Sequence, residues 1–230
     1  MLEVIYYILL FAILLILGFG FNEAISRAGL SKERRGRFLG GYAGLMLLFI
    51  VSTGALALTD FYKSFSLPPR LVLLGVLPAF AIIIYYYAAP RFKDITAAFP
   101  LLFTIYFQSF RIIVELLIHG AYQKGLGPVI VTYEGRNFDI IAGLSAPLVG
   151  WMYARGLLSK KLVLTWNLLC LMLLANIVFI FISLMVNPQF WGYETPPVSM
   201  DFLTTPYVYI AAVYMPVAVF MHVMSIKKLL

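Results

Sequence analysis

The sequence predicts an all-α fold, a polytopic integral membrane protein of seven transmembrane helices with its N-terminus outside and its C-terminus in the cytoplasm. Three observations carry this reading. Of 230 residues, 63% are hydrophobic and only 12% charged, against about 25% charged in soluble domains. The apolar residues fall into seven runs of near-span length, parted by polar or turn-rich joins. Lys and Arg concentrate in alternate joins, as cytoplasmic loops require. A bilayer core about 30 Å thick takes roughly 20 apolar residues per helix. The whole chain, 1–230, is therefore expected to form one seven-helix transmembrane domain.

The first run, 4–21, has the apolar length of a signal peptide. However, Glu3 and no basic residue precede it, no A-x-A pattern follows, and an Arg-rich stretch comes next, so an uncleaved N-outside helix is expected. The second run, 38–59, carries Gly40 and Gly44, a pair of small residues four apart of the kind that lets helices approach in lipid. The third, 70–89, contains Pro78 and ends on Tyr85, Tyr86 and Tyr87, read as interface or packing residues. The fourth spans 96–119. The fifth, 138–157, has the small stripe Ala142, Ala146 and Gly150, with Pro147 inside it. The sixth, 162–186, holds the lone cysteine, Cys170, as a core residue, and Asn176 mid-span as an interhelical hydrogen-bonding residue. The seventh, 204–226, contains Pro216, His222 near its cytoplasmic end, and Tyr207, Tyr209 and Tyr214, the last deep enough to line a cavity. Each of the three prolines removes a backbone hydrogen bond and predicts a kink. Val129–Tyr133 is β-prone and is expected to pair locally before a turn at Gly135.

Twelve basic residues fall on the side of the Arg27–Arg37, Arg91–Lys93, Arg155–Lys161 and Lys227–Lys228 joins. Four (Lys63, Arg70, Lys124, Arg136) fall on the other, and Arg111 lies inside a run. The first side is therefore read as cytoplasmic. This accounts for the net charge of +7 by topology and by contact with anionic membrane lipids, and argues against nucleic acid as a partner.

The fourth run is the informative one. Thr104, Gln108, Arg111, Glu115 and His119 follow a 4, 3, 4, 4 spacing that gathers them on one helix face within roughly 80°. A charge at mid-span costs roughly 2.5–3.5 kcal/mol on insertion scales and faces the bundle interior with a partner. Arg111 and Glu115, at i, i+4, are within reach of a salt bridge, and Glu115 and His119 repeat the relation one turn outward. The next join returns with Glu134, Arg136, Asn137 and Asp139 at the expected level of His119. A structural role competes for three of these, with Asn137 as a helix cap, Asp139 complementing the helix dipole and Arg136 pairing locally. The candidate binding set is Gln108, Arg111, Glu115, His119, Glu134, Arg136, Asn137 and Asp139.

The run FQSFRIIVELLIHG, followed by YEGRNFDIIAGLSAPLVG, resembles a stretch found in a family of uncharacterised bacterial polytopic membrane proteins. The resemblance covers about residues 105–150, brings no assigned activity, and implies a bacterial inner (plasma) membrane with the polar stripe as its notable segment.

Several chemistries lack their residues. No lysine precedes Lys227 in the seventh run to carry retinal. The two histidines, His119 and His222, stand at different expected depths, against bis-histidine haem. Two histidines cannot make a three-histidine zinc site, although Glu115, His119 and Glu134 or Asp139 could hold a metal weakly. No H-E-x-x-H or G-x-S-x-G motif is present. No cofactor or tight metal site is expected. The first functional reading is a transporter, channel or small-molecule binding protein, in which Arg111 receives a polar or anionic ligand and Glu115 with His119 handles protons. The alternative is a membrane-embedded enzyme acting on a lipid or lipid-linked substrate, with Glu115 or His119 as general acid or base, or else a sensor or assembly subunit.

Overall fold

Apolar helices dominate because, away from water, only a helix satisfies its own backbone polar groups within one segment. A computed structural model describes residues 1–64 and 68–230, and among these the fold is all-α, without strand. The helices are α1 (Leu2–Arg27), α2 (Lys32–Leu58), α3 (Val72–Ala88), α4 (Pro90–Ala98), α5 (Leu101–Gln123), α6 (Ile140–Ala154), α7 (Lys160–Val186) and α8 (Ile210–Leu229). Five of them, α1, α2, α5, α7 and α8, are long and apolar enough to cross a membrane. α3 and α4, bent by 76° at their junction, qualify as a sixth if taken together, and α6 is a shorter apolar helix.

Each predicted run contains one of these helices, but the fourth is shifted. Thr96–Ala98 belong to α4, and the chain breaks at Phe99–Pro100 before α5 begins. Pro100 has no N–H and holds Phe99 extended, at φ −62° and ψ 132°, which a helix cannot accommodate. At its other end α5 continues through Gly120, which packs on the Leu2 side chain of α1, to Gln123.

The α1–α2 and α6–α7 joins use the same device. Gly29 (φ 66°) and Gly156 (φ 71°) take the left-handed conformation that terminates a helix. The following amides, Leu30 N and Leu157 N, then bond back to Ile25 O and Met152 O at 3.4 and 2.9 Å. Ser31 and Ser159 cap the next helices by accepting from Arg34 N and Leu162 N.

Ionic contacts sort the helix ends into two groups. At one end, Lys124 pairs with Glu3, which also accepts from Tyr207 Oη at 2.9 Å, and Lys63 bonds Asp201 at 2.8 Å and Asp60 at 3.0 Å. Those two carboxylates raise the Lys63 pKa above its ordinary value. At the opposite end, Lys228 donates to Ala97 O, and Lys227 lies 4.9 Å from the Tyr87 ring centroid.

α8 is the central helix, packed on α3, α5 and α7, while α1 packs on α2, α4 and α5. Two of the three prolines follow a widened turn. Val72–Val76 in α3 and Ile210–Tyr214 in α8 are π turns, and Pro78 and Pro216 stand two residues beyond them. A proline ring clashes with the carbonyl four residues back, and an i→i−5 turn re-routes the bonding there. Pro147 lies inside α6 without such a turn.

The small residues divide in the same way. Ala142 and Ala146 are fully buried, Gly143 lies on the backbone of Arg111 and Ile112, and Gly150 lies on the Tyr106 ring, so the stripe seats α6 on α5. Gly40 and Gly44 face open space on α2 and make no such approach. The β-prone stretch is a 3-10 turn, Val129–Val131, whose backbone pairs locally through Arg136 N to Ile130 O and Asn137 N to Thr132 O. Gly135 permits that turn because a Cβ there would strike Val129 O.

Gly143→Ala forces a methyl to 2.8 Å from the Ile112 amide nitrogen and should cost about 1–3 kcal/mol. Gly40→Ala should stay within about 0.5 kcal/mol of wild type. Thermal unfolding of both variants in detergent checks the contrast, and equal midpoints would contradict the assigned packing.

Candidate functional site

The site begins with a tight turn in α5. Gln108 N, Ser109 N, Arg111 N and Ile112 N each bond three residues back, at 3.1–3.2 Å, so the helix overwinds just before Arg111. Thr104, Gln108, Arg111 and Glu115 are all buried, with Arg111 only 2% exposed. The predicted polar face thus points inward over its first four members.

Arg111 is held directly by two residues from outside α5, Asp139 at the start of α6 and His222 of α8. Its Nε donates to Asp139 Oδ2 at 2.7 Å, and its Nη2 completes an ion pair with Asp139 Oδ1. Its Nη1 lies 3.1 Å from His222 Nε2. A guanidinium only donates, so His222 Nε2 accepts and Nδ1 carries the hydrogen, directed to Asn167 Oδ1 at 2.8 Å. The Asn167 amide donates in turn to Val163 O and Ser225 Oγ, both at 2.9 Å. A continuous polar chain therefore runs from the start of α6 through α5 and α8 to α7.

Glu115 is met from the join before α6. Asn137 Nδ2 donates to Glu115 Oε2 and, at 3.0 Å, to Val131 O, while Asn137 Oδ1 accepts from Asp139 N at 3.0 Å. The join thus folds into the bundle, where Val131, Thr132, Asn137 and Asp139 are buried. Gln108 Nε2 bonds Ala218 O at 3.1 Å, and its buried Oε1 has no hydrogen-bond partner among the described residues.

Several sequence expectations are corrected. Arg111 pairs with Asp139 rather than with Glu115, because the inserted join offers a carboxylate in better geometry than the neighbouring turn does. His119 is not handed to Glu115: it stacks on Tyr133 with centroids 4.9 Å apart, lies 3.1 Å from Gln123 Nε2 and sits 3.8 Å from Glu134. Asp139 stands at the N-cap of α6, at the positive end of its dipole, and its carboxylate is also the counter-ion of Arg111; Asn137 accepts from Asp139 N rather than from an amide inside the helix. Arg136 leaves the cluster and lies 5.4 Å from the Trp191 ring centroid. Asn176 donates to Arg136 O at 2.8 Å, a helix-to-join bond in place of an interhelical one. Glu115, His119 and Glu134 or Asp139 do not gather, and among the described residues no group of three His, Cys, Asp or Glu side chains converges.

The structure adds His222, Asn167 and Ser225, which the sequence reading left out of the set. Each is a polar residue in an apolar stretch, and that was the available signal. His222 was set aside as too near the helix end, yet α8 runs on to Leu229 and carries His222 to the depth of Arg111. Cys170 is buried as expected, and Tyr214 does line a cavity, its Oη donating to Tyr6 O at 2.6 Å.

That cavity, about 280 Å³, lies against the ionic cluster. Arg111, Glu115 and Asp139 form its polar floor, and its walls are apolar side chains of α3, α7 and α8 such as Val72, Ile177, Phe181 and Ala211. Ile182 and Val186 also line it and are 52% and 50% exposed, so the cavity reaches the apolar outer surface of the bundle.

Fold and site together define an all-α protein with helices long and apolar enough for a membrane, enclosing an ion cluster beneath an apolar cavity. The chain belongs to the family described as Domain of unknown function (DUF8737), whose model matches residues 68–230. Every residue of the cluster falls within that stretch; α1 and α2 lie before it. No curated protein and no solved structure matches the chain.

Removing one partner of a buried ion pair leaves the other charge uncompensated, at about 3–5 kcal/mol. Asp139→Asn should therefore destabilise strongly, and Arg111→Met combined with Asp139→Leu should recover much of the loss. Detergent unfolding of the single and double variants tests this, and a double variant no better than the single would break the assigned pairing.

Proposed function

We propose that the chain is a single-domain, seven-span protein of a bacterial inner membrane, N-terminus outside, that binds a small amphiphilic molecule in its outer half. The seven-span count and orientation rest on the alternation of basic joins, and the sorting of ionic contacts into two ends supports them: Lys63 and Lys124, read as outside, pair at one end with Asp201 and Glu3, while Lys227 and Lys228, read as inside, stand at the other. The bacterial setting rests on the resemblance of residues 105–150.

One observation carries the binding reading, namely a cavity with apolar walls and an ionic floor. Ligand sites are mostly apolar with a few convergent polar groups that fix orientation. The floor also narrows the ligand class. Arg111 is already engaged by Asp139 and His222, so a free anion finds no open guanidinium. The cluster holds two carboxylates against one guanidinium, and Glu115 is the one without a cation bonded to it. A buried carboxylate in excess is met by a proton or by a donor. The favoured ligand presents a hydroxyl, amide or amine to Glu115 and lays an apolar body along α7 and α8. Of the polar or anionic ligand expected at Arg111, this favours the polar one, met at Glu115.

The mouth beside Ile182 and Val186 favours a second reading, a membrane-embedded enzyme that admits a lipid-like substrate sideways, with Glu115 as proton acceptor. Transport draws support from the His222–Asn167–Ser225 chain, which carries polar groups on from the floor toward the opposite end.

Val178→Trp fills the cavity from a half-buried wall position without touching the cluster. Native mass spectrometry of wild type purified from a lipid extract should reveal a co-purifying amphiphile that Val178→Trp and Glu115→Leu lose while keeping their fold. A retained molecule whose mass changes with time supports the enzyme. Equal retention by wild type and both folded variants would place the ligand elsewhere and overturn the binding reading.

A further inference from the structure

A second cavity, about 890 Å³, lies at the end of the bundle opposite Glu3, between α1, α2, α3, α4 and α8. It is distinct from the first in lining and in charge. Its walls are apolar and aromatic, including Phe21, Tyr42, Phe49, Ile83, Tyr86 and Phe220. Its rim carries Arg34, Arg37 and Arg91, against Asp94. Arg37 also bonds Glu33 at 3.0 Å, both side chains being well exposed, and Arg91 lies over the Tyr85 and Phe92 rings at 5.2 and 4.6 Å. Arg34 has no carboxylate partner among the described residues. α2 is the least buried of the long helices, and Gly41, on the cavity wall, has open space where a side chain would stand.

In a bilayer a wedge of this kind between helices is filled by hydrocarbon, and the guanidinium rim at its end suits phosphate. We infer that this groove is a binding site for one anionic phospholipid, its acyl chains between α2 and α3 and its phosphate at Arg34, Arg37 and Arg91. Charge complementarity and the apolar walls in a single cavity select this occupant over a free anion, which would gain nothing from the walls, and over a zwitterionic lipid, which would gain less from the rim. The inference depends on the membrane-spanning reading but not on the outer cavity or its ligand.

The test uses the full chain in detergent, titrated with phosphatidylglycerol, phosphatidylcholine or inorganic phosphate and read by native mass spectrometry and thermal shift. Wild type should retain phosphatidylglycerol roughly tenfold more tightly than phosphatidylcholine, since each basic residue near an anionic headgroup adds to binding. Arg34→Gln, Arg37→Gln and Arg91→Gln together should abolish that preference. Arg155→Gln, Lys160→Gln and Lys161→Gln together remove the same charge at the same end of the bundle and should keep it. Gly41→Trp, projecting into the groove, should weaken both lipids while the protein stays folded. Inorganic phosphate alone should give no shift. Equal retention of the two lipids, equal effects of the two triple variants, or a full shift with inorganic phosphate would each overturn the inference.

Discussion

A guanidinium buried among apolar helices must find its counter-charge and its acceptors inside the protein, and much of the bundle's arrangement follows from meeting that demand at Arg111. Asp139 supplies the charge and His222 an acceptor. For Asp139 to arrive, the join between α5 and α6 has to enter the bundle. This shortens α6 to Ile140–Ala154, about 22 Å long at 1.5 Å per residue. The same insertion buries Thr132 and Asn137 and brings the Asn137 amide to Glu115. For His222 to arrive, α8 must lie at the centre, where it meets α3, α5 and α7. Its histidine then passes the constraint to Asn167 and Ser225, so four helices are registered in depth by one chain of hydrogen bonds.

Much of this was legible in the sequence, but unevenly. The seven apolar runs all contain helices because hydrophobic length is a local property, readable without partners. The inward face of α5 was legible for the same reason: Thr104, Gln108, Arg111 and Glu115 share an angular sector whatever surrounds them. The partners were not. Asp139 sits one residue before a helix, and local rules assign such a residue to the helix dipole; only insertion of the join makes it a counter-ion. His222 is misplaced in depth from the sequence, since a helix end read three residues early moves every residue on it toward the surface. Asn176 stands out in the sequence over Asn167, and the two differ both in depth along α7 and in the face they occupy. That choice is fixed by how α7 is rotated against α8.

The small residues carry the same lesson. The α6 stripe and the Gly40–Gly44 pair are indistinguishable as patterns, yet one seats a helix on the Arg111–Ile112 backbone and the other faces open space. A small-residue repeat permits close approach without dictating it. What dictates it for α6 is the ion pair at its N-terminal end, which draws the helix against α5. α2 is tied to its neighbours by neutral hydrogen bonds, Tyr209 Oη to Ile50 O and Tyr42 Oη to Leu14 O, with no buried ion pair among the described residues, and it stands apart from α3 by the width of the second cavity.

The two cavities are divided where the π turns of α3 and α8 meet, with Gly75 against Ala212. Ala211 lines the first cavity and Ala212, the next residue, lines the second. α3 divides likewise, Val76 facing the first cavity and Ala79 the second. Both helices therefore form walls of both cavities, through the segments where Pro78 and Pro216 have already loosened the regular bonding ladder. A π turn holds one residue more than an α turn in the same span, so converting either one rotates the helix on one side of it relative to the other. Such a change at Ile210–Tyr214 would alter the wall at Ala211 and Ala212 together, and through α8 would move His222 against Arg111. The ion cluster and both cavities thus share α8, and the two cavities share the wall formed by its π turn.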